Sequence, residues 1–288
     1  MIINKLSELS ITLCVLNEEL NVAGCIKSLL KEDPFEIIVI DGGSNDKTID
    51  ILKKLPVRLI QVEKKGLAFQ RNIGVKASKT KYTAIIDADH RIEENALNKL
   101  VIEMTRLKYD GIEAQIFSLE NSGYWDYAME QNFVLTHNYP GLRRMIGTPC
   151  VYKTEVIKKH NFDPRFTGPS DDTDLCYRLH KLNYKLGVGT SKVFQIHRSN
   201  FFEFKNKFIW YGKGDAQFVW HHKERTLSII KHITYNYPIK KSFFAIKNKK
   251  INLVPFFLLC GVFRSYGFFK EIIKMILGKR ADNEIYKT

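Results

Sequence analysis

Short apolar runs alternate with amphipathic helical patterns through the first hundred residues, and this alternation restricts the fold more than any other feature. Ser10–Leu16 reads as a strand, after which Leu20, Ala23, Ile26, Leu29 and Leu30 share one face of a helix over 19–30. Glu36–Ile40 is continuous and β-branched, as in a strand buried on both faces of a parallel sheet. The pattern then predicts a helix over 47–55, a strand over 57–62, a helix over 67–77 and a strand over 82–86. At this spacing the units are right-handed βαβ crossovers, which build one open, mostly parallel α/β sheet. Ligands bind such sheets beyond the carboxyl ends of the strands. Asn17-Glu18, Asp41-Gly42-Gly43-Ser44 and Asp87-Ala88-Asp89 each follow a predicted strand end. The topology therefore gathers them on one rim.

The middle of the chain is less regular, with a strand expected over 111–119 and a helix over 124–134. A Gly168-Pro169-Ser170 loop delivers Asp171, Asp172 and Asp174 to the start of a helix ending at Leu182. A helix N-terminus favours such acidic crowding through its dipole and free N–H groups. Five scattered cysteines, without C-x-x-C spacing, read as free thiols in a reducing compartment. The first residues show no basic region followed by a long apolar run, so no leader is expected there.

Charge is unevenly placed. Of the net +14, most lies in residues 197–288, which carry 18 Lys and Arg against 6 Asp and Glu. That implies a basic surface facing an anionic partner. Ile251–Phe263 contains Pro255 and falls short of the ~20 residues needed to cross a bilayer. Together with Tyr266–Leu277 and the lysines at 240, 241, 247, 249 and 250, it reads as an element lying on a membrane surface or as a helical hairpin covering the domain.

Two aspartates one residue apart at a strand end suit a hard divalent cation, Mg²⁺ or Mn²⁺, that also takes oxygens from a diphosphate. A bare D-x-D occurs often by chance. Here the apolar strand before it and the Asp41 loop on the same rim give it weight.

The runs ITLCVLNEEL (11–20), EIIVIDGGSNDKT (36–48), KGLAFQRNIGVKAS (65–78), YTAIIDADH (82–90), GPSDDTDLCYRL (168–179) and VFQIH (193–197), in this order, resemble family 2 glycosyltransferases. The resemblance implies a GT-A, Rossmann-like sheet flanked by helices, with a basic, aromatic helical extension beyond it. It implies a nucleotide-sugar-binding half at 1–110, an acceptor-binding half at 111–200 and the extension at 201–288. Asp41 matches the acid that meets the nucleotide base, and Cys14 stands where proline or threonine is common. Asn17, Glu18, Arg71, Asn72, Asp87 and Ala88 match positions around the donor, a UDP- or GDP-sugar. Asp89 matches the metal ligand, with His197 a second ligand to metal or diphosphate, or else an ordinary histidine. Arg71 could equally be an ion-pair partner. Asp172 matches the catalytic base, with Asp171 in place of the usual glutamate.

The implied reaction is inverting transfer to a saccharide or lipid-linked acceptor in cell-surface glycan synthesis. It would occur in the cytoplasm, with the basic third peripheral on an anionic membrane. Trp210-Tyr211-Gly212-Lys213-Gly214 reads as a loop closing over the diphosphate or as a packed aromatic edge. A nucleotidyltransferase would need a glycine- and basic-rich loop that 13–20 lacks. A nucleic-acid-binding module would leave the rim acids without a purpose. Without a Q-x-x-R-W motif after His197, processive polymerisation is not expected.

Overall fold

The computed structural model describes residues 8–63, 66–120, 123–166, 168–197 and 200–278. Among them runs a nine-stranded sheet. Its first half is β1 (Leu9–Val15), β2 (Glu36–Asp41), β3 (Arg58–Gln61) and β4 (Tyr82–Asp87), all parallel, in the order β3-β2-β1-β4. This is the predicted parallel sheet, with boundaries moved by a residue or two.

The second half is mixed. β5 (His90–Ile92) pairs antiparallel with β9 (Leu186–Gln195), which runs parallel to β6 (Gly111–Ser118). The short β7 (Gly141–Arg143) also pairs with β9, and β8 (Cys150–Lys153) lies antiparallel between β4 and β6.

Both faces are covered, which explains the unbroken apolar runs of β1, β2 and β4. One face holds α1 (Val22–Leu30) and α4 (Ala96–Leu107), which bury Val22, Ile26, Leu29, Leu97, Leu100 and Met104 against it. Against the other lie α3 (Leu67–Ala77), α6 (Thr154–His160) and α7 (Asp171–Lys181), through Ala68, Val75, Ile157, Leu175 and Leu179. Two further helices of this region are α2 (Thr48–Leu52) and α5 (Tyr124–Thr136).

Beyond the sheet the chain is helical: α8 (Phe201–His221), α9 (Thr226–Lys231), a π-helical stretch His232–Lys240, α10 (Lys241–Lys247) and α11 (Val254–Ile276). Three expectations are revised here. The Trp210–Gly214 stretch is the interior of α8, not a loop. Its Gly212 serves packing: a Cβ there would lie 1.9 Å from the Arg264 carbonyl oxygen, and one on Gly267 2.0 Å from that of Ile209. The two helices thus cross backbone to backbone, fixed by Arg264 donating to Asp215 at 2.5 and 2.9 Å.

Nor is 251–277 a hairpin or too short. Pro255 sits in the first turn of α11, where its missing N–H removes no helical bond, so Ile251–Ile276 forms one 26-residue helical run. By length and composition alone that run could cross a membrane. Lys241, finally, faces inward: its Nζ donates to Asn132 at 2.7 Å and lies 3.7 Å from the centroid of the Tyr237 ring.

Candidate active site

Register places the rim acids. Asp41 ends β2 opposite Val15 and Asp87 ends β4 opposite Cys14, so the two acids flank β1 at its carboxyl end. Asp41 is fully buried, and its carboxylate accepts from the backbone N–H groups of Gly43 (3.0 Å) and Ser44 (3.2 Å). Gly43 has φ +91°, in the left-handed region that glycine enters freely. Asp41 is therefore the organiser of this turn.

Asn17 and Glu18 are stitched to the same loop. The Asn17 N–H donates to Ser44 Oγ (2.8 Å), Asn17 Oδ1 accepts from the Asn45 N–H (2.9 Å), and the Glu18 N–H donates to Thr48 Oγ1 (2.7 Å). The Cys14 thiol, pushed up to about 12 by burial, is neutral.

At the β4 end, Asp87, Asp89 and His90 bring ligand atoms within 4.8 Å of one another. Ala88 between them is buried in the core, pointing away. Gln195 Nε2 donates to Asp89 Oδ2 at 2.7 Å, whereas Asp89 Oδ1 is buried without a hydrogen-bond partner. Sequence reading left His90 unassigned, although it adjoins the D-x-D. Its Nδ1 accepts from the Asp87 N–H (3.2 Å), which in the neutral ring puts the proton on Nε2, 3.8 Å from Asp89 Oδ1. In that tautomer His90 has no free lone pair for a cation. His197 lies outside this cluster. It is buried, its Nε2 has no partner among the described residues, and burial, with Lys207 and His90 nearby, lowers its pKa to about 3. Asp89 Oδ1, a buried carboxylate oxygen without a partner among the described residues, fits a cation better than a solvated loop; His197 is not part of that cluster.

Arg71, also buried, joins the two halves of the site. Nη1 donates to Asp171 at 2.8 Å and Nη2 lies 3.5 Å from Asp87 Oδ1. Burial alone would raise the Asp87 carboxyl. Arg71, then His90 and a hydrogen bond from Thr148, outweigh it and hold the group below the usual carboxylate range. Asn72, paired with Arg71 in the sequence, points elsewhere and clamps the backbone of Phe162 through both ends of its amide (2.7 and 2.8 Å).

On α7 the three aspartates divide. Asp171 takes Arg71, while Asp174 is buried and holds Arg178 (2.8 Å) and His222 (2.7 Å). Asp172 is partly exposed and, among the described residues, bonded locally, from the Thr173 N–H at 2.6 Å and the Thr173 hydroxyl at 3.3 Å. Burial, followed by the neighbouring Asp171, pushes its carboxyl up to about 7. A second carboxylate faces the same spot, unnoticed in the sequence. A methyl at Gly147 would lie 3.6 Å from Asp172 Oδ2 and 3.7 Å from Glu113 Oε1, and Glu113 Oε2 is 2.9 Å from His137 Nε2. Glu113 carries no local motif; the pairing of β6 with β8 and β9 places it.

Comparison with known proteins gives the family and the fold. The Glycosyl transferase family 2 profile matches residues 10–159. The glycosyltransferase GlyG of Streptococcus pneumoniae is 27% identical over 44% of the chain and 46% of its own length. A Methanococcus voltae protein, dolichyl N-acetyl-alpha-D-glucosaminyl phosphate 3-beta-D-2,3-diacetamido-2,3-dideoxy-beta-D-glucuronosyltransferase, is 25% identical over 71% of each chain. The chain thus spans about half or less of the first curated relatives it matches. Among solved structures, S. aureus TarS 1-349 in complex with UDP-GlcNAc superposes with a TM-score of 0.58 over 94% of this chain and 92% of that one, at 15% identity. At that identity the likeness shows the fold alone.

Proposed function

The chain belongs to glycosyl transferase family 2, and we propose that it moves a sugar from a nucleotide-diphosphate sugar to an acceptor hydroxyl, inverting the anomeric carbon. The observation that carries this reading is the double contact of Arg71, which brings the D-x-D rim and the α7 acids to one place. In the proposal the nucleotide, of a UDP- or GDP-sugar, lies across the carboxyl ends of β1 and β2, against Cys14, Asn17, Glu18 and the Asp41 turn. Asp87 borders the ribose, Ala88 contributing only its backbone since its side chain is in the core, and Arg71 keeps Asp87 charged. Asp89 and His197 would hold Mn²⁺ or Mg²⁺, which supplies charge neutralisation for the departing diphosphate.

Asp172 is the general base. It takes the acceptor's hydroxyl proton as the new bond to the anomeric carbon forms and the bond to the diphosphate breaks. The acceptor is a saccharide or lipid-linked glycan of the cell envelope, reached from the cytoplasm. The complex of TarS with UDP-GlcNAc and the dolichyl phosphate-linked sugar in the name of the Methanococcus transferase support these classes. Release of nucleoside diphosphate from a panel of UDP- and GDP-sugars, with Mn²⁺ or Mg²⁺ and no acceptor, tests the reading. Slow metal-dependent release from one donor is expected; none from any donor contradicts it.

A further inference from the structure

The C-terminal helices present an apolar face that the transfer reaction does not use. On α11, Leu258, Val262, Tyr266, Phe269, Ile273 and Ile276 are each 41–69% exposed. At 3.6 residues per turn these six fall within an arc of about 80°. The opposite side of the helix is committed: Phe256, Phe257, Cys260 and Phe268 are buried, and Gly267 meets α8 at backbone contact. The exposed stripe continues into neighbouring segments through Ile251, Phe243, Phe244 and Ile246. Soluble surfaces rarely expose a contiguous apolar patch of this kind without a partner.

Charge says which partner. Lys231, Lys240, Lys247, Lys249 and Lys270 are exposed in the same helices, in a region with three times as many basic as acidic residues. We propose that the outer face of α10 and α11 is a docking surface for an anionic lipid bilayer, with α11 lying in the membrane plane. Spanning is disfavoured despite the helix length. Drawing α11 into a bilayer would uncover the α8 aromatics Phe204 and Phe208 and separate Asp215 from Arg264. Lying in the plane keeps those contacts, inserts the apolar stripe and leaves lysines at headgroup level.

The surface also reaches the acceptor side. A groove of about 490 Å³ lined by Leu135, Thr136, Asn236, Lys240, Phe243 and Lys247 opens between the end of α5 and α10. The next residue after Thr136 is His137, which holds Glu113 beside the Gly147 gap and Asp172. A bilayer docked here would meet the protein next to the acceptor side, while the docking itself stands apart from the transfer reading.

The test is sedimentation of the full chain with vesicles of phosphatidylcholine alone or mixed with phosphatidylglycerol. Binding is expected only to the mixed vesicles, weakening as salt rises, and reversed by alkaline carbonate. Val262→Asp with Phe269→Asp, and separately Lys240→Gln with Lys247→Gln, should each weaken it about tenfold or more, with donor hydrolysis and melting temperature unchanged. The lysine pair serves if the aspartate variant fails to fold. No binding at low salt, indifference to lipid charge, unaltered binding by the variants, or resistance to carbonate would overturn the proposal. So would light scattering that shows a lipid-free dimer abolished by the same aspartates, since the face would then belong to a second copy.

Discussion

Arg71 on α3 donates to Asp171 on α7 at 2.8 Å, across 100 residues of chain, and both side chains are buried. The same guanidinium reaches Asp87 at 3.5 Å. One cation thus sets the distance between the end of β4 and the helix that carries Asp172.

Removing that cation leaves Asp171 buried and unpaired. Arg71→Ala is expected to destabilise the fold by about 3–5 kcal/mol, seen as a lowered melting temperature. Arg71→Lys should fold better yet transfer poorly, because an ammonium on a flexible stem cannot reproduce the planar fork facing both acids. Full activity in the lysine variant would show that Arg71 contributes charge only.

The acidic limb of the rate profile should belong to Asp172. Burial and Asp171 raise its carboxyl to about 7, and a general base works only when unprotonated. Transfer is therefore expected to fall about tenfold per unit as pH drops below ~7, and to level off above it. Asp171→Asn removes the neighbouring like charge and should move this limb to lower pH. A rate indifferent to pH from about 5 to 8 would exclude a base of this pKa.

Metal dependence should follow the two proposed ligands, Asp89 and His197. Asp89→Asn and His197→Ala should each raise the Mn²⁺ concentration for half-maximal donor hydrolysis, and by more than Gln195→Ala, which frees Asp89 and should raise it about 10–100-fold. His90→Gln offers a side-chain N–H donor in place of Nε2–H, and its Mn²⁺ requirement should change least. If His90 variants lost metal while His197 variants kept it, the tautomer argument would be wrong.

Packing gives an independent check. Gly212→Ala puts a methyl 1.9 Å from the Arg264 carbonyl oxygen, so the α8–α11 pair must separate, at a cost of about 1–3 kcal/mol. A clear drop in melting temperature is expected; an unchanged one would mean that the helices do not cross at Gly212.

The parallel half of the sheet was legible because buried strands and amphipathic helices write strong periodic signals, and the D-x-D rim followed from strand ends alone. Asp171, Asp172 and Asp174 looked alike as helix N-terminal charges, and only their partners, Arg71, Thr173 and His222, separate them. Glu113, Gly147 and His137 could not be found, since they meet through antiparallel pairing of β6 with β8 and the end of α5, contacts without local pattern. The glycines of α8 suggested a loop. A glycine in a helix interior has the same letter whether it bends the chain or admits a neighbouring backbone.

The most direct measurement compares wild type and Asp172→Asn side by side for donor affinity and for transfer. The account predicts an unchanged Kd for the donor with Mn²⁺, since Asp172 lies on the acceptor side, and a loss of transfer of about 10²- to 10⁴-fold. Transfer retained in Asp172→Asn would contradict it.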